Sequence, residues 1–209
     1  MTFLGSFGGS TPQMNRYPEG PGIKRLFHSR REQALIIDKT CKKGFGQLKA
    51  GTVLAVDADS MCIPYVPATV VAGADSALGC IPILAVNDGE IQIPKGYGGI
   101  LTVDDILREV GQTVDITVEA ITFGDYYDTI TVDEYSALNA GEFLFVKGGA
   151  TAKYILDQDV DTGFGEDAVG ANTSVVLSNA VLYKNSMINL DNTAIAALGI
   201  VDGQFFILK

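Results

Sequence analysis

The chain has 209 residues, enough for one large domain or two small ones, and 47% of them are hydrophobic. It carries 15 Lys and Arg against 25 Asp and Glu, a net charge of −10, and a single histidine. No segment approaches the ~20 apolar residues of a membrane span, and one histidine excludes His-based triads and His-rich metal sites. A mean hydropathy of +0.22 in so acidic a chain indicates apolar surface that is covered in an assembly.

Residues 1–33 are predicted to form an extended N-terminal arm. The stretches GSFGGSTPQ and YPEGPG are rich in Gly, Pro and Ser, which sustain neither a helix nor a central strand. A disordered tail is the alternative, but disordered segments seldom carry so many large apolar groups. The segment lacks the basic region and apolar run of a secretory signal, so we expect the protein to be made in a host cytoplasm.

The charge of the chain is unevenly placed. Residues 1–49 hold nine basic and three acidic residues, a net +6, whereas the rest holds six basic and 22 acidic residues, a net −16. Such asymmetry indicates an arm that binds a negatively charged partner. The partner-contact residues that we predict are Phe3, Phe7, Arg16, Tyr17, Lys24, Arg25, Phe27, Arg30 and Arg31.

The stretch IKRLFHSRR, residues 23–31, also fits nucleic acid, because bases and aromatics interleave in it. The acidic body would repel a phosphate backbone, so an acidic protein surface is favoured and no direct nucleic-acid contact is expected. A structural or contact role, not catalysis, is expected for His28, the one histidine.

Residues 34–112 are predicted to form a first β-rich unit. Its strands are ALIID, TVLAV, CIPYVP, IPILAV and EIQIP, with a turn at NDG and another at GYGG. TVDDILREVG, residues 102–111, predicts a helix capped by Thr102 or Asp104 and ended by Gly111. The three cysteines are far apart and form no C-x-x-C pair, so buried free thiols are predicted.

Residues 113–209 are predicted to form a second β-rich unit. Its strands are TVDITVEAITF, DTITVDEY, EFLFV, AKYIL, SVVLSNAVLY, MINL and QFFILK. A short helix is predicted from a cap at Asp191 or Asn192 to Gly199.

An acidic loop, Asp157 to Asp167, is the best metal candidate. Asp157, Asp159 and Asp161 have the i, i+2, i+4 spacing of a calcium loop. Thr162 then stands where that loop needs Gly, and Ala168 where it needs Glu. A solvated loop is therefore favoured, and neither a metal nor a cofactor is predicted. Since no nucleophile or phosphate-loop motif occurs either, we expect no enzyme, with a hydrolase using this loop as a remote alternative.

One phrase occurs twice in the chain. LKAGTVLAV from Leu48 and LNAGEFLFV from Leu138 match at an offset of 90, and DSALG is echoed by EDAVG at an offset of 91. The alternative is chance similarity between Gly/Ala-rich β sequences. The repeat predicts a mainly β chain of two tandem β-barrel or β-sandwich-like units with short helices. The structural turn and strand residues of the repeat are Ala50, Gly51, Leu54, Ala140, Gly141 and Leu144.

LKAGTVLAVDADSMCIPYVP followed by ADSALGCIPILAV resembles the head decoration, or cement, proteins of tailed bacteriophages. Ala50–Gly51, Tyr65 to Pro67 and Gly79 carry the pattern, and AIAALGIVDGQFFILK is similar to that family's last helix and strand. The resemblance implies a non-enzymatic virion protein on the capsid exterior. It would bind the major capsid protein as a trimer or dimer and stabilise the shell by bridging neighbouring subunits. A tail-tube, neck or head-fibre base protein is the alternative.

Overall fold

A computed structural model describes residues 26–29, 34–74, 77–133, 138–201 and 205–207, with side chains for residues 26, 34–74, 77–133 and 138–200. In these ranges the chain is mainly β. The strands are β1 (Phe27–Ser29), β2 (Leu35–Cys41), β3 (Gln47–Leu48), β4 (Val53–Val56), β5 (Cys62–Pro64), β6 (Cys80–Pro82), β7 (Ala85–Asn87), β8 (Glu90–Pro94), β9 (Ile106–Glu109), β10 (Ile116–Thr122), β11 (Tyr127–Val132), β12 (Phe143–Val146), β13 (Tyr154–Leu156), β14 (Val160–Asp161), β15 (Ala171–Ser178), β16 (Val181–Leu182), β17 (Ile200–Val201) and β18 (Phe205–Ile207).

A closed barrel has the strand order β13-β15-β2-β5-β4. Its longest ladder is the antiparallel pair of β2 and β15, which runs from Leu35 opposite Ser178 to Cys41 opposite Ala171. One pair, β2 with β5, is parallel and meets at Cys41 and Cys62. Closure removes the free strand edges that an open sheet would expose.

A seven-stranded antiparallel sheet, in the order β6-β12-β9-β10-β11-β8-β7, lies beside the barrel. The NDG turn closes its β7–β8 hairpin, with Asp88 and Gly89 at φ +40° and +87° as a tight hairpin turn requires. A four-stranded sheet, β1-β16-β18-β17, and the pair β14-β3 complete the described strands. The predicted strand MINL does not form, since Ile188 makes only an isolated bridge with Thr52.

The arrangement as two tandem units is not confirmed. The barrel takes strands from both sides of the predicted boundary at residues 112–113, and so does the seven-stranded sheet. One hydrophobic core also joins them, since Leu54 and Val175 of the barrel belong to the same buried cluster as Leu107 and Leu144 of the sheet. Strand β4 of the first copy pairs with β13 from the second predicted unit. Strand β12 of the second copy pairs with β6 and β9 from the first predicted unit.

The predicted helix at residues 102–111 is wrong. Asp104 has φ +72°, which no right-handed helix allows, and Asp105 Oδ2 accepts a hydrogen bond from Thr102 N at 2.7 Å, closing a turn. The following residues form β9, which pairs with β10 on one side and β12 on the other. The apolar residues fit a helical period, but the segment forms a strand because it pairs with the edges of β10 and β12.

The short C-terminal helix is confirmed as α1 (Asn192–Leu198). Asp191 caps it by accepting a hydrogen bond from Ala194 N, and Gly199 ends it in the left-handed conformation at φ +65°. The GYGG turn forms a 3₁₀ turn over Tyr97–Ile100.

The cysteines are buried free thiols, as predicted. Cys41 and Cys62 lie opposite each other in the barrel, and their mutual hydrogen bond together with burial holds the pKa of the Cys41 thiol well above its usual range. Burial raises the pKa of the Cys80 thiol to about 12. Cys41 and Cys80 are therefore protonated, unreactive groups at neutral pH.

Candidate partner-binding surface

The arm joins the body through an edge strand. Leu26 is buried, and its carbonyl accepts a hydrogen bond from Tyr183 N at 2.9 Å. The next three residues form β1, in which Phe27 lies opposite Leu182 and Ser29 opposite Val181. Residues 26–29 thus belong to the folded body, although they fall inside the predicted arm. The C-terminal strand β18 lies in the same small sheet.

Most of the predicted contact residues lie outside the described residues. These are Phe3, Phe7, Arg16, Tyr17, Lys24, Arg25, Arg30 and Arg31, and they remain predictions. Phe27 is placed in β1 by its backbone alone.

Some of the positive charge counted with the arm belongs to the body. Lys42 is 1% exposed and contacts Asp105, and Lys49 forms an ion pair with Asp159 at 3.0 Å. Lys39 lies 5.5 Å from the centre of the Tyr154 ring. Residues 1–33 themselves hold five basic and two acidic residues, a net +3, so part of the +6 counted over residues 1–49 lies on the body.

The two copies of the repeated phrase adopt the same local structure. Strands β4 and β12 lie at the 90-residue offset of the sequence, and Leu54 and Leu144 are both fully buried. Each strand follows a turn in which Gly51 or Gly141 has φ +89°. Since only glycine adopts this φ at low cost, the phrase encodes a turn that leads into a buried strand.

The second echo also has a structural role. Gly79 precedes β6 and Gly170 precedes β15. A Cβ on Gly79 would lie 2.8 Å from the Pro64 carbonyl oxygen, and one on Gly170 would lie 2.7 Å from that of Cys41. Both positions thus require glycine for a close approach of two backbones.

The acidic loop is tied to the first repeat turn. Asp159 accepts a hydrogen bond from Ala50 N at 2.8 Å and pairs with Lys49, and these contacts lower the pKa of its carboxyl group. Asp161 accepts a hydrogen bond from Gly163 N within the loop. Among the described residues, no group of three or more His, Cys, Asp or Glu side chains is arranged to hold a metal ion.

An exposed aromatic patch, which the sequence analysis missed, surrounds the 3₁₀ turn at residues 97–100. Tyr97 and Phe164 meet edge to face with ring centres 5.4 Å apart. On the other side of the turn, Phe123 is close enough that a Cβ on Gly98 would lie 3.0 Å from its ring. The patch consists of Tyr97, Phe123 and Phe164, the last 53% exposed. Tyr126 and Tyr127 follow Phe123 where the chain turns from β10 into β11, and Tyr126 is 88% exposed.

A buried carboxylate fixes the turn beneath this patch. Asp128 is 1% exposed, and its Oδ2 accepts hydrogen bonds from Gly96 N at 2.8 Å and Gly98 N at 2.9 Å. The three glycines of the segment let the backbone approach both this carboxylate and the Phe164 loop. Three glycines within four residues are a sequence signal for a tight turn, but nothing in the sequence places Phe164 beside them.

Searches among protein-family models, curated proteins and solved structures found no significant match to this chain. Of the helices in the described residues, none has the length and apolar character needed to cross a membrane.

Proposed function

We propose that this protein decorates the outer surface of a tailed-phage capsid and stabilises the shell by bridging neighbouring capsid subunits. The observation that carries the proposal is a basic segment with apolar residues that precedes an edge strand of an acidic β body. The resemblance of residues 48–84 to decoration proteins supports the same assignment.

The join between arm and body suits a clamp. Residues 1–25 precede the buried Leu26, so a pull on the arm is transmitted to the small sheet that also holds the C-terminal strand. An extended segment gains affinity by adding backbone hydrogen bonds to a partner's sheet edge and by seating apolar side chains in its grooves. A clamp that binds only the assembled shell stabilises that shell by mass action.

The aromatic patch supplies a second contact for the capsid or for another copy of the chain in a dimer or trimer. Tyr and Phe are enriched at protein interfaces, where they bury large areas at little entropic cost. Asp128 and the glycines below hold the patch rigid, which reduces the ordering cost of binding.

Co-sedimentation with purified, expanded phage heads tests the proposal. The full chain should sediment with heads at low salt and progressively less as salt rises, because the arm's charges are screened. Deleting residues 1–25 should weaken sedimentation strongly while keeping the β1 anchor, whereas a deletion to residue 33 would also damage the body.

Two further variants separate the contributions. Changing Arg16, Lys24, Arg25, Arg30 and Arg31 to Gln keeps the apolar side chains, so this variant should bind more weakly and lose most of its salt dependence. Tyr126→Ala should weaken binding without changing the melting temperature, since that ring is almost fully exposed. Undiminished binding by the arm deletion would contradict the clamp. No binding of the full chain at any salt would favour a tail-tube, neck or head-fibre base protein.

A further inference from the structure

Three buried charged side chains meet where the barrel contacts the seven-stranded sheet. Lys42 follows β2 and Asp57 follows β4, both in the barrel, whereas Asp105 precedes β9 of the sheet. The Lys42 Nζ lies 2.6 Å from Asp105 Oδ1 and 2.8 Å from its Oδ2. It lies 3.6 Å from Asp57 Oδ2. The side chains of Lys42, Asp57 and Asp105 are 1%, 2% and 9% exposed.

The backbone holds each member of this cluster in place. Lys42 N donates a hydrogen bond to the Cys62 carbonyl at 2.9 Å, and the Asp105 carbonyl accepts one from Val118 N at 2.9 Å. Asp57 Oδ1 accepts hydrogen bonds from Asp59 N and Met61 N. The backbones that carry Lys42 and Asp105 are thus positioned by hydrogen bonds that do not involve the contact between the two side chains.

A simple ion pair does not account for this cluster. One ammonium faces two carboxylates, and Asp57 Oδ2 has no hydrogen-bond partner among the described residues. Buried charges are costly to desolvate, and an unsatisfied buried acceptor adds to that cost. A reaction between Lys42 and Asp105 would remove two of the three buried charges, and it would give Asp57 Oδ2 a hydrogen-bond donor.

We propose that Lys42 and Asp105 form an intramolecular isopeptide bond, with Asp57 as the proton carrier. The ammonium of Lys42 and the carboxylate of Asp105 condense to an amide and one water molecule, with no oxidant or reductant. The new N–H then lies beside Asp57 Oδ2 and can donate to it.

The protons balance through Asp57. Asp57 Oδ2 takes one proton from Nζ and passes it to an oxygen of Asp105, leaving a neutral amine beside a carboxylic acid. The amine attacks the Asp105 carboxyl carbon and a C–N bond forms. A second Nζ proton then moves by way of Asp57 to the hydroxyl, the C–O bond breaks, and water leaves. Asp57 ends as it began.

Two features of the site assist these steps. Thr102 N donates to Asp105 Oδ2 at 2.7 Å, so it stabilises the negative charge that develops on this oxygen as the amine adds. A surface cleft lined by Asp57, Thr102 and Asp105 gives the released water a way out. Holding amine and acid in contact also makes the reaction intramolecular, so the entropy cost of bringing the two groups together is met by folding.

The bond would fasten the barrel to the sheet across 63 residues of chain. Closing so long a loop restricts the unfolded chain and raises stability, as a disulfide of the same span does. This inference is independent of the proposed capsid role.

Mass spectrometry of the folded, full-length chain tests the bond. The intact mass should be lower than that of the sequence by one water. Trypsin should leave residues 40–43 joined to residues 96–108, because an acylated Lys42 is not cleaved. Asp57→Asn, which keeps the size of the side chain, and Lys42→Arg should both have the mass of their sequences, with folding checked by circular dichroism.

Each other outcome overturns part or all of the proposal. A folded wild-type chain with the full sequence mass means that the bond does not form. Loss of water without the branched peptide means dehydration elsewhere, such as a succinimide. A branched peptide that contains Asp57 in place of Asp105 means that Asp57 forms the bond and Asp105 carries the proton. A cross-link in the Asp57→Asn variant means that Asp57 does not carry the proton.

Discussion

Leu54 and Leu144, 90 residues apart, occupy the same position in two turn–strand segments, and both are fully buried in one core. Leu54 pairs with Tyr154 and Pro64 in the barrel, whereas Leu144 pairs with Ile81 and Glu109 in the open sheet. The repeated phrase therefore fixes a local structure and leaves the choice of strand partners to the rest of the chain.

The two turn glycines offer a matched pair of substitutions. Gly51 and Gly141 share φ +89°, but a Cβ on Gly51 would collide with the Ser186 carbonyl oxygen, whereas one on Gly141 would meet nothing within 4 Å. Gly141→Ala should lower the free energy of unfolding by about 1–2 kcal/mol through backbone strain alone. Gly51→Ala should cost about 1–3 kcal/mol more because of the clash.

Urea denaturation of both variants measures this difference. Equal losses would mean that the Ser186 segment moves aside freely, and the close packing of the first turn would then have no energetic role. A change in the slope with urea would signal a different unfolded or native state, in which case the comparison of midpoints would not apply.

Most strands could be predicted from local pattern, because β-branched runs between Gly, Pro and Asn turns specify them residue by residue. The helix at residues 102–111 could not be excluded in this way. Val103, Ile106, Leu107 and Val110 fit a helical period, and only the edges of β10 and β12, supplied by distant sequence, make this segment a strand.

The groups that carry chemistry were harder to predict. Lys42 reads as one of several basic residues, and Asp105 reads as an acidic residue inside the predicted helix at residues 102–111. Their contact spans 63 positions and follows from packing the barrel against the sheet, which no local pattern encodes. The aromatic patch was hidden for the same reason, since Phe164 and Tyr97 come from separate loops.

Asp128 should be important for stability and for the shape of the aromatic patch. Asp128→Ala leaves the N–H groups of Gly96 and Gly98 buried without acceptors, so we expect a loss of about 2–5 kcal/mol. Asp128→Asn keeps one acceptor oxygen and should lose less than half as much. Thermal unfolding followed by circular dichroism measures both, and an Asn variant as unstable as the Ala variant would show that the charge itself is required.

Tyr65 should make stability fall at alkaline pH. Its hydroxyl donates to Asp191 at 3.1 Å, and burial together with the Asp191 charge raises the pKa of Tyr65 to about 12 from its ordinary value of 10.0. The unfolded chain therefore loses this proton first, and the free energy of unfolding should fall between pH 10 and pH 12 with a slope of at most about 1.4 kcal/mol per pH unit.

Tyr65→Phe is the matched control for this prediction. It should cost about 1 kcal/mol at neutral pH through the lost hydrogen bond and should remove the Tyr65 share of the alkaline slope. Urea midpoints at several pH values between neutrality and pH 12 provide the measurement. Parallel curves for the two proteins would show that Tyr65 ionises as readily in the folded state as in the unfolded chain.

Asp159 should stabilise the first repeat turn at neutral pH and lose that effect in acid. The hydrogen bond from Ala50 N and the Lys49 ammonium lower the pKa of Asp159, so the stabilisation is present above the ordinary Asp pKa and disappears as the pH falls through the lowered value. Because the side chain is half exposed, solvent screening limits the effect of Asp159→Asn to about 0.2–1 kcal/mol. Asp161→Asn, whose carboxylate accepts a hydrogen bond within its own loop, is the control and should cost less.

Since the carboxylates of Asp159 and Asp161 already have protein partners, millimolar calcium should leave the melting temperature of the wild type unchanged. A rise that both Asn variants abolish would mean that the loop rearranges to bind the ion.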